Sequence, residues 1–270
     1  MSIVILVGGQ SAHGNPEHRY LVNAFVERFG DRVTKIISTE PVTRPLKTRL
    51  RRMLKRGNYA ERVRRALYKG GYGPDPAALS RALFDDKPID QMPGGSRHVV
   101  VSSHNGQDCL DLLDQEKPDV IIVYGTAILK APLFDRAKII TLNMHTGLSP
   151  WYRGDSTLFW PVFYDDPDNL GVTIHQLVAA VDGGDIASTG KVVYEQGDSE
   201  ANLFAKGVKV GTDLYLEAAQ SALNGTLVCT QQDLSLGREF RWIHRTVAAE
   251  KQVLQMLDKW KSKGSTQTSQ

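Results

Sequence analysis

Asn143 and His145 stand two residues apart in the stretch Thr141-Leu-Asn-Met-His-Thr-Gly-Leu-Ser-Pro150. If that stretch closes a strand, alternation puts both side chains on one side of it. A primary amide that donates hydrogen bonds, next to an imidazole that can carry charge, suits the stabilisation of a developing oxyanion. Imidazole is also the side chain that exchanges protons most readily near neutrality. The alternative reading is that this histidine merely caps a loop. Further on, Asp182 leaves an apolar run into Gly183-Gly184. An aspartate in that place is ordinary turn chemistry, but beside His145 it would orient and charge the imidazole. A third candidate is the turn Gly8-Gly9-Gln10-Ser11, whose backbone N–H groups can meet a phosphate where the next helix begins. It matches neither the dinucleotide nor the P-loop glycine pattern, and such turns are often purely structural.

The elements needed to position these residues follow from periodicity. Ile3–Val7 is a β-branched run ending in glycine, which reads as a buried parallel strand. Pro16 can open a helix in which Leu21, Val22, Phe25 and Phe29 share a face. Further strands are expected over Val33–Ser38, His98–Ser102, Asp119–Tyr124, Lys138–Asn143, Gly171–Val178 and Ile186–Tyr194. Short helices fall over Pro76–Phe84 and Ser156–Tyr164, and another around Cys109, Leu112 and Leu113. Thr146–Asp155 reads as loop. From Ser199, Phe204, Val208, Gly211, Tyr215, Ala218 and Ala222 keep a helical period, and a last helical stretch covers Phe240–Trp260. Alternating strands and helices with nearly all-apolar strands predict an α/β fold with a doubly wound, mainly parallel, Rossmann-like sheet. Gly8, Gly125 and Asn143 fall at carboxyl ends of its strands, where ligands bind in such sheets.

Taken together, Asn-x-His, Pro150-x-Tyr152-Arg153-Gly154, Gly171-Val-Thr-x-His175 and Val181-Asp182-x-Gly184-x-Ile186 resemble the folate-dependent formyltransferases. Pro118–Phe134, with Pro-Asp-Val-Ile-Ile-Val-Tyr-Gly and Ile-Leu-Lys-Ala-Pro-Leu-Phe, is similar to that family's folate-pocket strand and loop. The resemblance implies transfer of a formyl group from 10-formyltetrahydrofolate to a primary amine, without a metal. It implies Asn143, His145 and Asp182 as the catalytic trio. The pterin would be held at Gly125, Ile128, Leu129 and Lys130 and at Val178, Ala180 and Val181. Gly8, Gly9, Gln10, Tyr152, Arg153 and Gly154 would lie on the acceptor side, and His175 would serve in packing or behind the trio. Departures are Gly147-Leu-Ser-Pro150 in place of the usual Ser-Leu-Leu-Pro, and a Gly8-Gly9 turn unlike the phosphate turn of glycinamide ribonucleotide enzymes.

The net charge of +3 over 270 residues conceals an uneven distribution. Between Arg44 and Lys69 there are eleven Lys or Arg and one acid, a local +10, so the remainder carries −7. Leu46, Leu50, Met53 and Leu54, then Val63, Ala66 and Leu67, predict a basic helical hairpin inserted over residues 43–70. The expected organisation is a catalytic domain over 1–225 containing that insert, a helical extension over 226–260 and a disordered polar tail over 261–270. The Tyr-Arg-Gly variant and the aromatic run Trp151, Tyr152, Phe159, Trp160 and Tyr164 most resemble enzymes acting on nucleotide-linked amino sugars for surface glycans. A hydroxyornithine-like amine, a phosphoribosyl amine and aminoacyl-tRNA are alternative acceptors. Nucleic acid is disfavoured because the short C-terminal region leaves no space for a tRNA-binding barrel. An anionic membrane surface is a further candidate partner for 44–69, a homodimer is open, and a non-enzymatic basic binding protein is the competing class. Two cysteines without metal-ligand spacing and an N-terminal run too short for a signal segment lead to a cytoplasmic expectation.

Overall fold

The computed structural model describes residues 1–8, 15–39, 59–68, 72–85 and 87–266. Five parallel strands, β1 (Ile3–Val7), β2 (Val33–Thr39), β3 (His98–Val101), β4 (Val120–Tyr124) and β5 (Ile140–His145), are continued by β7 (Gly171–Gln176) and β8 (Ile186–Lys191). The order is β3-β2-β1-β4-β5-β7-β8, with β7 and β8 antiparallel. β1 and β4 are buried along their whole length, as expected for strands covered on both faces. The order reverses direction between β1 and β4, which is the topological switch point of a doubly wound sheet.

One face carries α1 (Pro16–Phe29), α3 (Pro76–Phe84) and the long α7 (Glu200–Leu223) around a core of Ile3, Ile5, Phe25, Ile122, Leu142 and Tyr215. α7 is opened by a capping box, in which Ser199 and Asn202 each bond to the other's backbone. The opposite face buries Val4, Leu6, Ile121 and Val123 against Cys109 and Leu113 of α4 (Gln107–Glu116) and Leu133 of the short α5 (Ala131–Phe134). A second, aromatic core joins Phe159 and Trp160 of α6 (Phe159–Phe163) to Phe240 and to Val253 and Trp260 of α8 (Val247–Thr266). No helix among the described residues is long and apolar enough to cross a membrane.

Two local expectations change, and a third is described only in part. The stretch Thr146–Asp155 is not all loop: β6 (Tyr152–Gly154) pairs in parallel with β9 (Arg238–Phe240), a partner more than eighty residues away that no local pattern announces. The last helix starts at Val247 rather than Phe240, after a 3₁₀ turn over Trp242–His244, and runs to Thr266 where a disordered tail was expected. Within the basic segment, residues 40–58 lie outside the described residues, including Leu46, Leu50, Met53 and Leu54. The described part contains α2 (Tyr59–Leu67), a helix as expected, on which Tyr59, Val63 and Leu67 are exposed at 54%, 58% and 74%.

Candidate active site

β5 extends two residues beyond the expected Asn143 and so carries both Asn143 and His145. Its antiparallel pairing with β7 sets Asn143 opposite His175 and His145 opposite Thr173. Directly paired residues project from the same side, so the register alone brings His175 to Asn143. The Asn143 amide Nδ2 and His175 Nε2 are 3.1 Å apart, while His175 Nδ1 faces the Gln176 carbonyl at 2.8 Å. With Nδ1 donating to that carbonyl, Nε2 accepts from the amide, and one amide hydrogen of Asn143 is left for the cleft.

Asp182 arrives from the β7–β8 connection at φ +45°, a left-handed conformation that Asp tolerates better than most residues. The connection is drawn tight against β7. A Cβ on Gly184 would lie 1.9 Å from the Gln176 carbonyl oxygen, so only glycine fits there. Gln232 fastens the turn, donating to the carbonyls of Asp182 at 2.9 Å and Gly184 at 2.5 Å. The Asp182 carboxylate then meets His145 Nδ1 at 3.3 Å, His175 Nε2 at 3.5 Å and the Gly154 N–H at 2.8 Å. Burial by itself would push this carboxyl up. The His145 imidazole and the Gly154 N–H outweigh it and hold the carboxyl well below the usual carboxylate range. His145 Nε2 lies 2.8 Å from the Tyr152 carbonyl. Both ring nitrogens of His145 thus face acceptors, a pattern that only the doubly protonated ring satisfies in full.

These groups sit in a cleft of about 850 Å³. Its walls are the β4–α5 loop from Gly125 to Leu129, the loop from Leu177 to Asp182, and the segment Glu239–Ile243 from the C-terminal region. Asn143, His145, Asp182, Gly125, Ile128, Leu129, Val178, Ala180, Val181 and Gly154 all line it. Lys130, Tyr152 and Arg153 do not. Tyr152 instead lends its carbonyl to His145 and its hydroxyl to Asp166 at 2.8 Å, and Arg153 Nη2 donates to the Leu234 carbonyl at 3.2 Å. Gly8 does not line the cleft either, though it packs against Gly125, which does. A Cβ on Gly8 would fall 1.9 Å from the Gly125 carbonyl oxygen, so the contact of β1 with β4 accounts for its lack of side chain. Gly9 and Gln10 lie outside the described residues.

Two contributors escape a reading of the sequence alone. Gln232 anchors Asp182, and Asn105 braces the β4–α5 loop by donating to the Ile128 carbonyl and accepting from the Lys130 N–H, each at 2.9 Å. Both depend on contacts across long stretches of chain, whereas His175, expected in packing or behind the trio, meets Asn143 from its Gly-Val-Thr-x-His strand.

The sequence pattern of the formyl transferase family matches residues 74–219, just over half of the chain. The chain belongs to the formyl transferase family. Asn143, His145, His175 and Asp182 all fall within the matched part, whereas α1, the basic segment and α8 fall outside it. Among curated relatives, a methionyl-tRNA formyltransferase from Desulfotalea psychrophila is 30% identical over 164 residues, covering 57% of this chain and 50% of that protein. This formyl transferase chain therefore spans about half the length of that relative. Among solved structures, the N-formyltransferase from Helicobacter canadensis, in complex with folinic acid and dTDP-3-aminofucose, has a TM-score of 0.53 and 15% identity over 89% of this chain and 71% of that one. Glycinamide ribonucleotide transformylase 1 from Symbiobacterium toebii has a TM-score of 0.55 and 18% identity over 86% and 95%. At those identities the likeness is one of fold.

Proposed function

We propose that the protein transfers a formyl group from 10-formyltetrahydrofolate to the primary amine of a nucleotide-linked amino sugar. The observation that carries this reading is the convergence of Asn143, His145 and Asp182 on one cleft, with His175 buried behind Asn143. The cleft also suits the co-substrate in size. At about 850 Å³ it lies in the range that encloses a drug-sized ligand, and exposed Ile128 and Val181 give its rim apolar surface for a flat ring. Backbone groups of 125–129 and 178–182 would hold that ring system, which brings the formyl carbon to be transferred.

When an amine adds to a formyl carbon, negative charge grows on the carbonyl oxygen. The hydrogen of Asn143 not bonded to His175 is the donor available to it. His145, held by Asp182 and the Tyr152 carbonyl, acts as a fixed positive charge beside it. The attacking amine must also lose a proton while the bond between the formyl carbon and the donor nitrogen breaks; Asp182, beside His145, is the group placed to pass that proton on to the departing nitrogen, so that tetrahydrofolate leaves as the neutral amine. No covalent link to the protein is required.

A sugar nucleotide is supported on the acceptor side by Trp242 and Arg241, which offer aromatic and cationic surface at the cleft. The aminoacyl-tRNA reading rests on the curated relatives and on the basic segment. Incubating the protein with 10-formyltetrahydrofolate and either dTDP-3-aminofucose, other nucleotide-linked amino sugars or methionyl-tRNA, with mass-spectrometric detection of one formyl replacing one hydrogen, decides between them. No product from any amine would overturn the assignment.

A further inference from the structure

Helix α2, the described part of the basic segment, is fastened to the wall of the cleft. Glu61 accepts from the Val247 N–H at 2.7 Å, at the first turn of α8, and Arg65 Nη2 donates to the Arg245 carbonyl. The Arg65 guanidinium also stands 4.7 Å from the centre of the Tyr72 ring and 4.8 Å from that of Trp242, and those two rings meet edge-on at 5.8 Å. Glu61, 3.6 Å from Arg65, is the acid paired with it. On the other side, the Trp242 backbone N–H donates to Asp155 at 2.9 Å.

The segment so held, from Arg238 to Val247, is a three-residue strand, a 3₁₀ turn and the start of a helix. Its backbone is tied to β6 by the β9 pairing and by the Arg238 and Asp155 N–H bonds and closes on itself in the 3₁₀ turn, while the Trp242 side chain is held by its contacts with Arg65 and Tyr72. Trp242 is 48% exposed within it and borders two spaces: the cleft above Asn143 and His145, and a cavity of about 220 Å³ lined by Leu158, Phe159, Leu203 and Phe204. Both spaces also touch Thr146, the residue after His145. A large indole at that border decides what can lie beside the reacting centre.

We propose that Trp242 is a specificity-determining residue of the acceptor side, and that Arg65 and Glu61 are positioning residues that hold it in place. α2 is then part of the site's construction, with Arg65 directed inward as a prop. The identity of the ligand rests on the formyl-transfer reading; the propping of the segment does not.

The test is built on Arg65→Ala, Arg65→Lys, Trp242→Ala and Trp242→Phe in the full chain. Loss of a stacked cation of this kind makes local opening about tenfold more frequent. Amides of 241–247 in Arg65→Ala should accordingly exchange with deuterium about tenfold faster, with those of 120–124 and 140–145 unchanged. With dTDP-3-aminofucose as the acceptor probe, KM should rise about tenfold in Arg65→Ala and in Trp242→Ala. kcat should stay within about twofold and folinic acid binding should not move, because the chemistry of Asn143 and His145 is untouched. Arg65→Lys, which keeps charge but not the planar group, should fall between, and Trp242→Phe should restore most of the loss. Unchanged exchange at 241–247 in Arg65→Ala would overturn the proposal. So would a fall in kcat and in folinic acid affinity together with the rise in KM. If the unaltered protein forms no formylated product, the formyl-transfer reading fails, and the exchange measurement still judges the role of Arg65.

Discussion

Asp182→Asn removes one charge from the candidate site while keeping its shape, and the size of the effect follows from the distances. The carboxylate lies 3.3 Å from His145 Nδ1 and 3.5 Å from His175 Nε2. At an effective dielectric constant of about 20, a unit charge pair at that separation is worth on the order of 5 kcal/mol. Each 1.36 kcal/mol is about tenfold in rate, so loss of the pair should slow formyl transfer by roughly three to four powers of ten. A His–Asp pair in an unrelated hydrolase loses a similar factor, about 10⁴, on the same substitution. The fold should persist, because the asparagine oxygen can still accept from the Gly154 N–H, now 2.8 Å from the carboxylate. The assay is product formation under saturating donor and acceptor, with circular dichroism as the check on folding. Stability supplies a second readout with a definite sign. Asp182 is held below the ordinary carboxylate range, so its ionised form stabilises the folded state above that range, and the contribution disappears as pH falls toward the depressed value. The stability difference between the two proteins should therefore be greatest at neutral pH and shrink in acid. Turnover of Asp182→Asn within tenfold of the unaltered protein would refute the reasoning.

Other outcomes follow from single contacts. Gly8→Ala would bring a methyl group to 1.9 Å from the Gly125 carbonyl oxygen and should destabilise the protein by about 1–3 kcal/mol in urea unfolding. Tyr215, fully buried, donates to the Leu142 carbonyl at 2.6 Å and accepts from the Val123 N–H at 2.8 Å, so Tyr215→Phe should cost about 1–3 kcal/mol by the same measurement, through the buried groups it leaves unpaired. Burial pushes the Cys109 thiol up to about 12, so Cys109 should resist iodoacetamide at pH 8 while the partly exposed Cys229 reacts; mass spectrometry of labelled peptides reads the difference.

Strand identity and order of appearance were legible in the sequence because the strands are continuous apolar runs: Ile3–Val7 and Val120–Tyr124 are buried at every residue, so no face-by-face pattern was needed to see them. Ser199 and the period from Phe204 to Ala222 likewise defined the start and face of α7 from neighbours in the chain. The pairing of β6 with β9 was not legible. Both strands are three residues long, and their pairing is set by the aromatic packing of Tyr152, Trp160 and Phe240 rather than by local propensity. That is also why the helix expected from Phe240 begins seven residues later.

The same division runs through the candidate site. Residue type and spacing made Asn143, His145 and Asp182 candidates, the strand period putting the first two on one side, and the resemblance to the formyltransferases joined them as a trio. Sequence could not decide what each of them touches. The antiparallel register of β7 sets His175 against Asn143, the glycine-only approach of Gly184 to β7 delivers Asp182, and the β6 carbonyl takes the second nitrogen of His145. It also could not decide that Arg153 faces the Leu234 carbonyl while Arg65, from the basic segment, stands against the wall of the cleft. A side chain's chemistry belongs to its own residue, but its direction and partners are fixed by backbone that arrives from elsewhere in the chain.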